Sequence, residues 1–570
     1  MSDVNLSTPA LSWGRFGRRT GGLFGGGNWG WSLFTILVAL LVATPVLVVL
    51  AHVFVPTGEV WTHLSQTVLP RYISNSLWLM LGVGVGTLVI GVGTAWAVTM
   101  CRFPGVRQFE WALLLPLAVP AYVIAYTYTG LMDFAGPIQS TIRAVFGFQT
   151  AREYWFPRIR SLEGAIAMMT LVLYPYVYML SRAAFLEQSV CVLEASRTLG
   201  CGPWRAFRSV ALPLARPAIV AGVALALMEA LNDFGTVQYF AVDTFTTGIY
   251  RTWLGLREPA AAAQLGAVLM LFVFALVLLE RLSRRQARYH HTTNRYRSLP
   301  RYHLKGWKAA LAFIGCFLPV FLGFLFPGGA LLLWSFETGP VMIDARFFSL
   351  AWNSFILSSV AAVVAVLVAL LLAYGQRLHA SPASKLAVRI ASMGYAVPGS
   401  VIAVGIMVPL VWTDNTIDAW MRATFGISTG LLMTGTIGAL IFAYLVRFLA
   451  VSFNTVEASL SKVTFSMEAA SRTLGHGPLA TLRRVHVPVI RSSILTAAVL
   501  VFVDVMKELP ATLIMRPFNF DTLAIRTFAL AGDERLREAA PSALAIVLVG
   551  IIPVVLLSRI IAKSRPGDAQ

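Results

Sequence analysis

Twelve stretches of about 17 to 28 residues in this chain are almost free of charge, and no other feature limits the fold as much. Each is long enough to cross the ~30 Å hydrocarbon core of a bilayer as a helix. Backbone polar groups in lipid must be satisfied internally, so the expected fold is an all-α, polytopic membrane bundle. In the first half the spans read as roughly 31–55, 74–98, 111–132, 164–181, 217–240 and 260–279; in the second, 309–336, 353–375, 390–412, 427–446, 492–515 and 539–558. The first has too long an apolar run for a cleavable signal, and no small-residue cleavage site follows it. Of the 570 residues 57% are hydrophobic and 12% charged, more apolar surface than a soluble domain can hide. That excludes a soluble enzyme, a disordered chain and a nucleic-acid binder.

The net charge of +19 becomes informative once the Lys and Arg are assigned to sides. With the N-terminus cytoplasmic, 31 of the 45 fall inside and 13 outside, while Lys507 lies within a span. The positive-inside rule therefore puts both termini and the basic linker 281–308, with Arg284, Arg285 and Arg288, in the cytoplasm, where the linker serves as a topology anchor near anionic lipid. Cys101, Cys191, Cys201 and Cys316 show neither a CxxC pair nor metal-ligand spacing, so no disulfide framework or zinc site is expected.

The chain also repeats itself. Residues 193–219 match 468–494 at 13 of 27 positions, among them Ser196/Ser471, Arg197/Arg472, Gly200/Gly475, Pro203/Pro478 and Pro213/Pro488. The offset of 275 continues through Phe245/Phe520, Thr247/Thr522 and Arg251/Arg526. Upstream, Asn75-Ser76 recurs as Asn353-Ser354 and Val119-Pro120 as Val397-Pro398, now 278 residues apart. Six spans per half return the chain to the side it left. The two halves should then be related by a pseudo-twofold axis along the membrane normal, with a pathway between them. The expected organisation is a tail (1–30), a first half (31–280), the linker (281–308), a second half (309–563) and a short tail (564–570).

The best-matched segment is a loop between the fourth and fifth spans of each half, within 187–216 and 453–491. Its pattern reads as a short helix ended by a glycine turn, then a segment stopped by proline. Glu194-Ala195-Ser196 with Gly200, then Val210-Ala211-Leu212-Pro213, resembles the coupling loop of binding-protein-dependent ABC importer permeases, E-A-A-x-x-x-G-x9-I-x-L-P. The second copy departs further: Ala469-Ala470 precede Gly475, Glu468 falls one residue early, and the ending is Val485-His486-Val487-Pro488. One residue is about 100° around a helix, so Glu468 is not assumed to act as Glu194 does. The resemblance implies the type I importer permease fold. It also implies that each half docks one subunit of a homodimeric or paired ABC ATPase, with a substrate-binding protein on the outer side of a bacterial inner membrane. The chain has no GxxxxGK[ST] phosphate loop, so ATP and Mg belong to that partner, and the chain itself is neither an enzyme nor the holder of a cofactor.

Charged residues inside spans face bundle interiors or water paths. Glu229 and Asp233 in the fifth span recur at the 275 offset as Asp504 and Glu508 in the eleventh. Spacing of i and i+4 stacks each pair on one helix face, and counting from Pro217 puts them in the outer half of the membrane. Four carboxylates there can line the outer mouth of a pathway for a hard cation. They can equally form a salt-bridged gate with Lys507, Asn232, Arg251 and Arg526. Tyr122, Tyr126, Tyr128, Tyr174, Tyr176 and Tyr178 offer oxygens that suit ferric iron, though packing explains most of them, and Gly82, Gly84, Gly86, Gly91 and Gly93 suit close helix contact.

The text around the acids, Leu231-Asn232-Asp233-Phe234-Gly235-Thr236-Val237 and Lys507-Glu508-Leu509-Pro510-Ala511-Thr512-Leu513, resembles the ferric iron branch of these permeases. The implied function is uptake of iron(III) handed over by the binding protein. Thiamine or another organic cation is the alternative cargo, and an ion-driven secondary transporter the alternative class. No metal ligands are carried over from the resemblance.

Overall fold

The computed structural model describes residues 29–188, 198, 202–285, 301–378 and 381–563. Residues 1–28 of the expected first tail, the second tail, most of the linker (with Arg288), Cys191, Cys201, and Glu194, Ala195, Ser196 and Gly200 of the first loop lie outside the described residues.

Among the described residues, eleven helices are long and apolar enough to span a membrane, and a twelfth span is a helix pair bent by 90°, Val106–Ala118 with Ala121–Phe146. The bend has a local cause. The residue before proline is pushed out of the helical region. Val119 accordingly sits at φ −94°, ψ 119°, and Pro120 opens the next helix. The second half repeats this at Val397, φ −83°, ψ 128°, before Pro398. The ninth span is therefore Gly399–Phe425, with Ile390 in a separate helix, Pro382–Ala391.

Three other expectations need correction. The tenth span is Ile437–Leu460 rather than 427–446. Asp418 accepts the amides of Thr429 and Gly430 at 2.7 and 3.0 Å, and Asp414 those of Met433 and Thr434 at 3.0 and 2.8 Å, so the preceding segment is held as a loop. The fifth and eleventh spans end early, at Asn232 and Met506, and short helices Gly235–Tyr239 and Pro510–Met515 follow. At their other ends, Pro213 and Pro488 do not stop the chain. A proline leaves a carbonyl one turn back without its amide, and a wider π turn takes up the slack, with Leu212 N–H reaching Phe207 O and Val487 N–H reaching Leu482 O. Each loop thus runs on into a span as one rod, Pro203–Asn232 and Pro478–Met506.

The halves are related in detail. Asn75 Nδ2 donates to Asp243 O at 2.8 Å, and Asn353 Nδ2 to Asp521 O at 3.2 Å. Within each half the second, fourth and fifth spans, or the eighth, tenth and eleventh, pack together. Gly82, Gly86 and Gly91 of the second span have no room for a Cβ, which would meet Ile166, Thr170 and Val177 of the fourth at 2.6–2.7 Å.

The outer spans cross over. The first span and the sixth (Pro259–Arg285) pack on the ninth, while the seventh (Trp307–Met342) and twelfth (Leu536–Lys563) pack around the bend of the third. Gly405 lets the ninth span touch the first, where an added Cβ would lie 2.3 Å from Pro45 O; Gly550 does the same for the twelfth against Ala118 O at 2.5 Å. Two hydrophobic cores result, each with side chains from both halves. A two-residue parallel ladder, Cys101–Arg102 with Tyr302–His303, ties the chain after the linker back to the first half.

Candidate functional site

Four helix breaks, two from each half, meet at one cavity of about 120 Å³. Its wall includes Pro120 and Tyr122 at the first Val-Pro break, Asp233 to Gly235 after the fifth span, Tyr395 before the second Val-Pro break, and Glu508 to Pro510 after the eleventh span. Met169 to Tyr176 and Arg447-Phe448, from the middle of the fourth and tenth spans, complete it. Discontinuous helices at mid-span are how transporters bring polar backbone and side chains to a pathway. All four predicted carboxylates, Glu229, Asp233, Asp504 and Glu508, line this cavity with Lys507.

Two details differ from expectation. The acids are not stacked pairwise on one helix, because Asp233 and Glu508 lie beyond the helix ends. Each caps the short helix that follows: Asp233 Oδ1 accepts from Thr236 N and Val237 N at 2.9 and 3.2 Å, and Glu508 accepts from Ala511 N and Thr512 N at 2.8 and 3.0 Å. Nor do continuous helices carry on past them. The residues counted as the outer parts of these spans fold instead into short helices, Gly235–Tyr239 and Pro510–Met515, which leaves the acids level with the middle of the fourth and tenth spans.

The ion pairs are unequal between halves. Glu508, nearly inaccessible, pairs with Arg447 Nη1 at 2.9 Å, and Asp504 with Lys507 Nζ at 3.0 Å. Gly399 permits the first of these, since a Cβ there would fall 2.2 Å from the guanidinium. Glu229 accepts a hydroxyl, from Tyr395 at 2.8 Å. Among the described residues, neither Glu229 nor Asp233 has a Lys or Arg at ion-pair distance. Arg251 and Arg526 are absent from the wall; they approach Asp243 at 2.6 Å and Asp344 at 3.6 Å. Arg447 and Tyr395 escaped the sequence reading. Arg447 is a charge inside a span, a visible signal, but the span misplaced to 427–446 ended one residue short of it. No group of three or more His, Cys, Asp or Glu among the described residues is arranged to hold a metal ion.

Of the predicted tyrosines, Tyr122 and Tyr176 line the cavity. Tyr128 and Tyr178 donate to Leu322 O and Glu110 O at 2.7 and 3.0 Å, and Tyr126 and Tyr174 are fully buried.

The second predicted docking loop is fully described. Helix Phe465–Thr473 ends at Gly475, φ +77°, with Gly475 N–H bonded to Arg472 O and His476 N–H to Ser471 O, a turn that favours glycine. Ala469, Ala470 and Gly475 are exposed, and so are Phe465, Met467, Leu474 and Leu479, which make an apolar surface around the turn. Glu468 points the other way. It is buried, pairs with Arg377 at the end of the eighth span, and lies 3.2 Å from His486 Nε2. Arg377 also donates to Leu460 O and Val463 O, and Tyr374 Oη to Pro478 O at 2.8 Å, so this cluster pins the loop helix to the bundle. Pro213 and Pro488, both exposed, lie within the rods just after their π turns.

Residues 88–288 match the family described as binding-protein-dependent transport system inner membrane component. The chain is 28% identical over 533 residues to the Fe(3+)-transport system permease protein FbpB 2 of Haemophilus influenzae, covering 92% of this chain and 97% of that one. It is 24% identical over 512 residues to the ferric transport system permease protein FbpB of Actinobacillus pleuropneumoniae, covering 86% and 71%. A shorter match, 31% over 154 residues, joins 27% of the chain to 64% of the molybdenum transport system permease protein ModB of Escherichia coli K12.

Proposed function

The chain belongs to the binding-protein-dependent inner-membrane transport permeases, with two halves fused in one polypeptide, and on that premise we propose that it is the membrane subunit of an ATP-driven importer of ferric iron. It is a multi-pass permease rather than an enzyme. The observation that carries the cargo is the end-to-end similarity to a permease named for Fe(3+) transport. The cavity supports it: four carboxylates face two cations, a net negative lining that suits a hard cation and repels an oxyanion such as molybdate.

The mechanism follows from the rods. Partner ATPase subunits, which bind ATP and Mg, sit on the two loops, and the exposed apolar surface around Gly475 is one contact. Pro203–Asn232 and Pro478–Met506, the first about 45 Å long at 1.5 Å per residue, each run from a loop to the cavity wall. Closure of the ATPases draws the loops together, and the rods convert that movement into separation of the broken helix ends. In this state the cavity opens outward to a docked binding protein. Because each core contains spans from both halves, the halves rock without coming apart. Loops, linker and termini lie in the cytoplasm, as the charge distribution indicates.

The test is ATP hydrolysis by the complex in liposomes. Iron-loaded binding protein should stimulate it, and the iron-free protein should not. Stimulation by molybdate- or thiamine-loaded protein, with none by iron, would reject the assignment.

A further inference from the structure

The cavity's two faces descend from one repeated sequence yet differ in charge. At the offset of 275, Glu229 corresponds to Asp504 and Asp233 to Glu508, but Asn232 corresponds to Lys507. The second-half face carries its own counter-ions, Lys507 on Asp504 and Arg447 on Glu508, so its acids are already neutralised. Among the described residues, the first-half face has two carboxylates and no Lys or Arg of its own paired with them.

A second observation concerns neutral groups on the same face. Asn232, 2% exposed, lines the cavity with neither its side-chain oxygen nor its nitrogen hydrogen-bonded. Tyr122, 5% exposed and also in the wall, has an unpartnered hydroxyl. A buried polar group without a partner costs about 1–3 kcal/mol, and one in a native structure calls for an explanation. Two such groups beside two unneutralised carboxylates form an oxygen-rich face whose missing partner is positive.

We propose that Glu229, Asp233, Asn232 and Tyr122 form a one-sided station for a hard cation in transit, and that the opposite face sets the field without touching the cargo. This rests on the reading that the chain carries ferric iron. The station is not a cage, because no three His, Cys, Asp or Glu side chains are arranged to hold a metal ion among the described residues. The cavity has space for an ion that keeps part of its hydration shell. Such weak, incomplete ligation suits transport, which needs binding loose enough to be left again. Lys507 fixes the side: a cation in its place on the first-half face would fill the station from within.

The test uses the purified complex of this chain with its ATPase, with terbium(III) as a hard-cation probe whose emission nearby tyrosines sensitise. Two variants are compared with the natural chain, Glu229→Gln/Asp233→Asn, in which Asn keeps the capping acceptor, and Asn232→Lys, which copies the second half's solution. Size-exclusion chromatography checks assembly. Tyr122→Phe, which removes one hydroxyl and keeps the ring, serves if either variant fails to assemble. The natural complex should show saturable terbium emission displaced by iron(III). Terbium affinity and iron uptake should fall by about tenfold or more in the first two variants, as expected when charge in a buried site is cancelled, and terbium affinity should fall severalfold in the third. No saturable terbium emission from the natural complex, or assembled variants that bind and transport as it does, would overturn the station. Terbium binding that depends on these residues, without any iron uptake by the natural complex, would overturn the assigned cargo and leave the station standing.

Discussion

Arg447 Nη1 lies 2.9 Å from Glu508 Oε1, joining the middle of the tenth span to the break after the eleventh. Glu508 thereby has three kinds of partner: the guanidinium, two helix amides and the Thr512 hydroxyl. Its counterpart Asp233 has the amides and a hydroxyl but no cation. A duplicated motif has diverged into a sealed copy and an open one.

Breaking the sealed pair from one side should be costly. Arg447→Met leaves a carboxylate buried without its cation, and thermal unfolding of the detergent-solubilised complex should show a loss of about 3–5 kcal/mol. Adding Glu508→Gln should recover more than half of that loss. Equal stability of the single and double variants would show that the pair is not coupled.

The interlocking of the halves makes a separate claim. Gly405→Val places a side chain against Pro45 O, where even a Cβ would sit at 2.3 Å. Overpacking of this kind costs about 1–3 kcal/mol, and here it should loosen the first span from the ninth. Limited proteolysis of the loop joining the first two spans should speed up accordingly. The same substitution at Gly93, which has open space around it, should leave the digestion pattern as it was.

At the loop turn, Gly475 has φ +77°. A β-branched residue there suffers a left-handed penalty of about 1–2 kcal/mol. Gly475→Val should reduce ATP-driven uptake while leaving insertion intact, and Gly475→Asn should be milder, because Asn tolerates that conformation. Transport by the Val variant at the natural rate would remove the turn from the coupling path.

Glu468 and Arg377 should behave as a unit. Because Glu468 faces the bundle, Glu468→Gln and Arg377→Met should each weaken ATPase capture by displacing the loop helix, and the double variant should lose little more than either single one. A coupling energy of about 0.5–3 kcal/mol is expected for such a pair. Additive losses would mean that the two side chains act separately.

The amount legible in the sequence varies with the range of the physics involved. The twelve spans, the duplication and the glycine turn rest on local pattern, and the cavity acids were found because a charge in an apolar run stands out. The Val-Pro pairs were visible as repeats, but their consequence, a 90° bend in the third span, depends on what the bend packs against. Arg447 was hidden because Asp414 and Asp418 hold a loop where apolar composition suggests helix. The crossing of the outer spans onto opposite halves, through Gly405 and Gly550, is a contact between distant segments that neither segment encodes alone.

The most direct measurement is iron accumulation in proteoliposomes containing this chain, its ATPase and its binding protein, with radiolabelled iron(III) outside and ATP inside. The account predicts uptake that requires both ATP and the binding protein, survives excess molybdate and thiamine, and falls when Glu229 and Asp233 are neutralised together. Uptake of molybdate or thiamine in place of iron, under the same dependence on ATP, would contradict it.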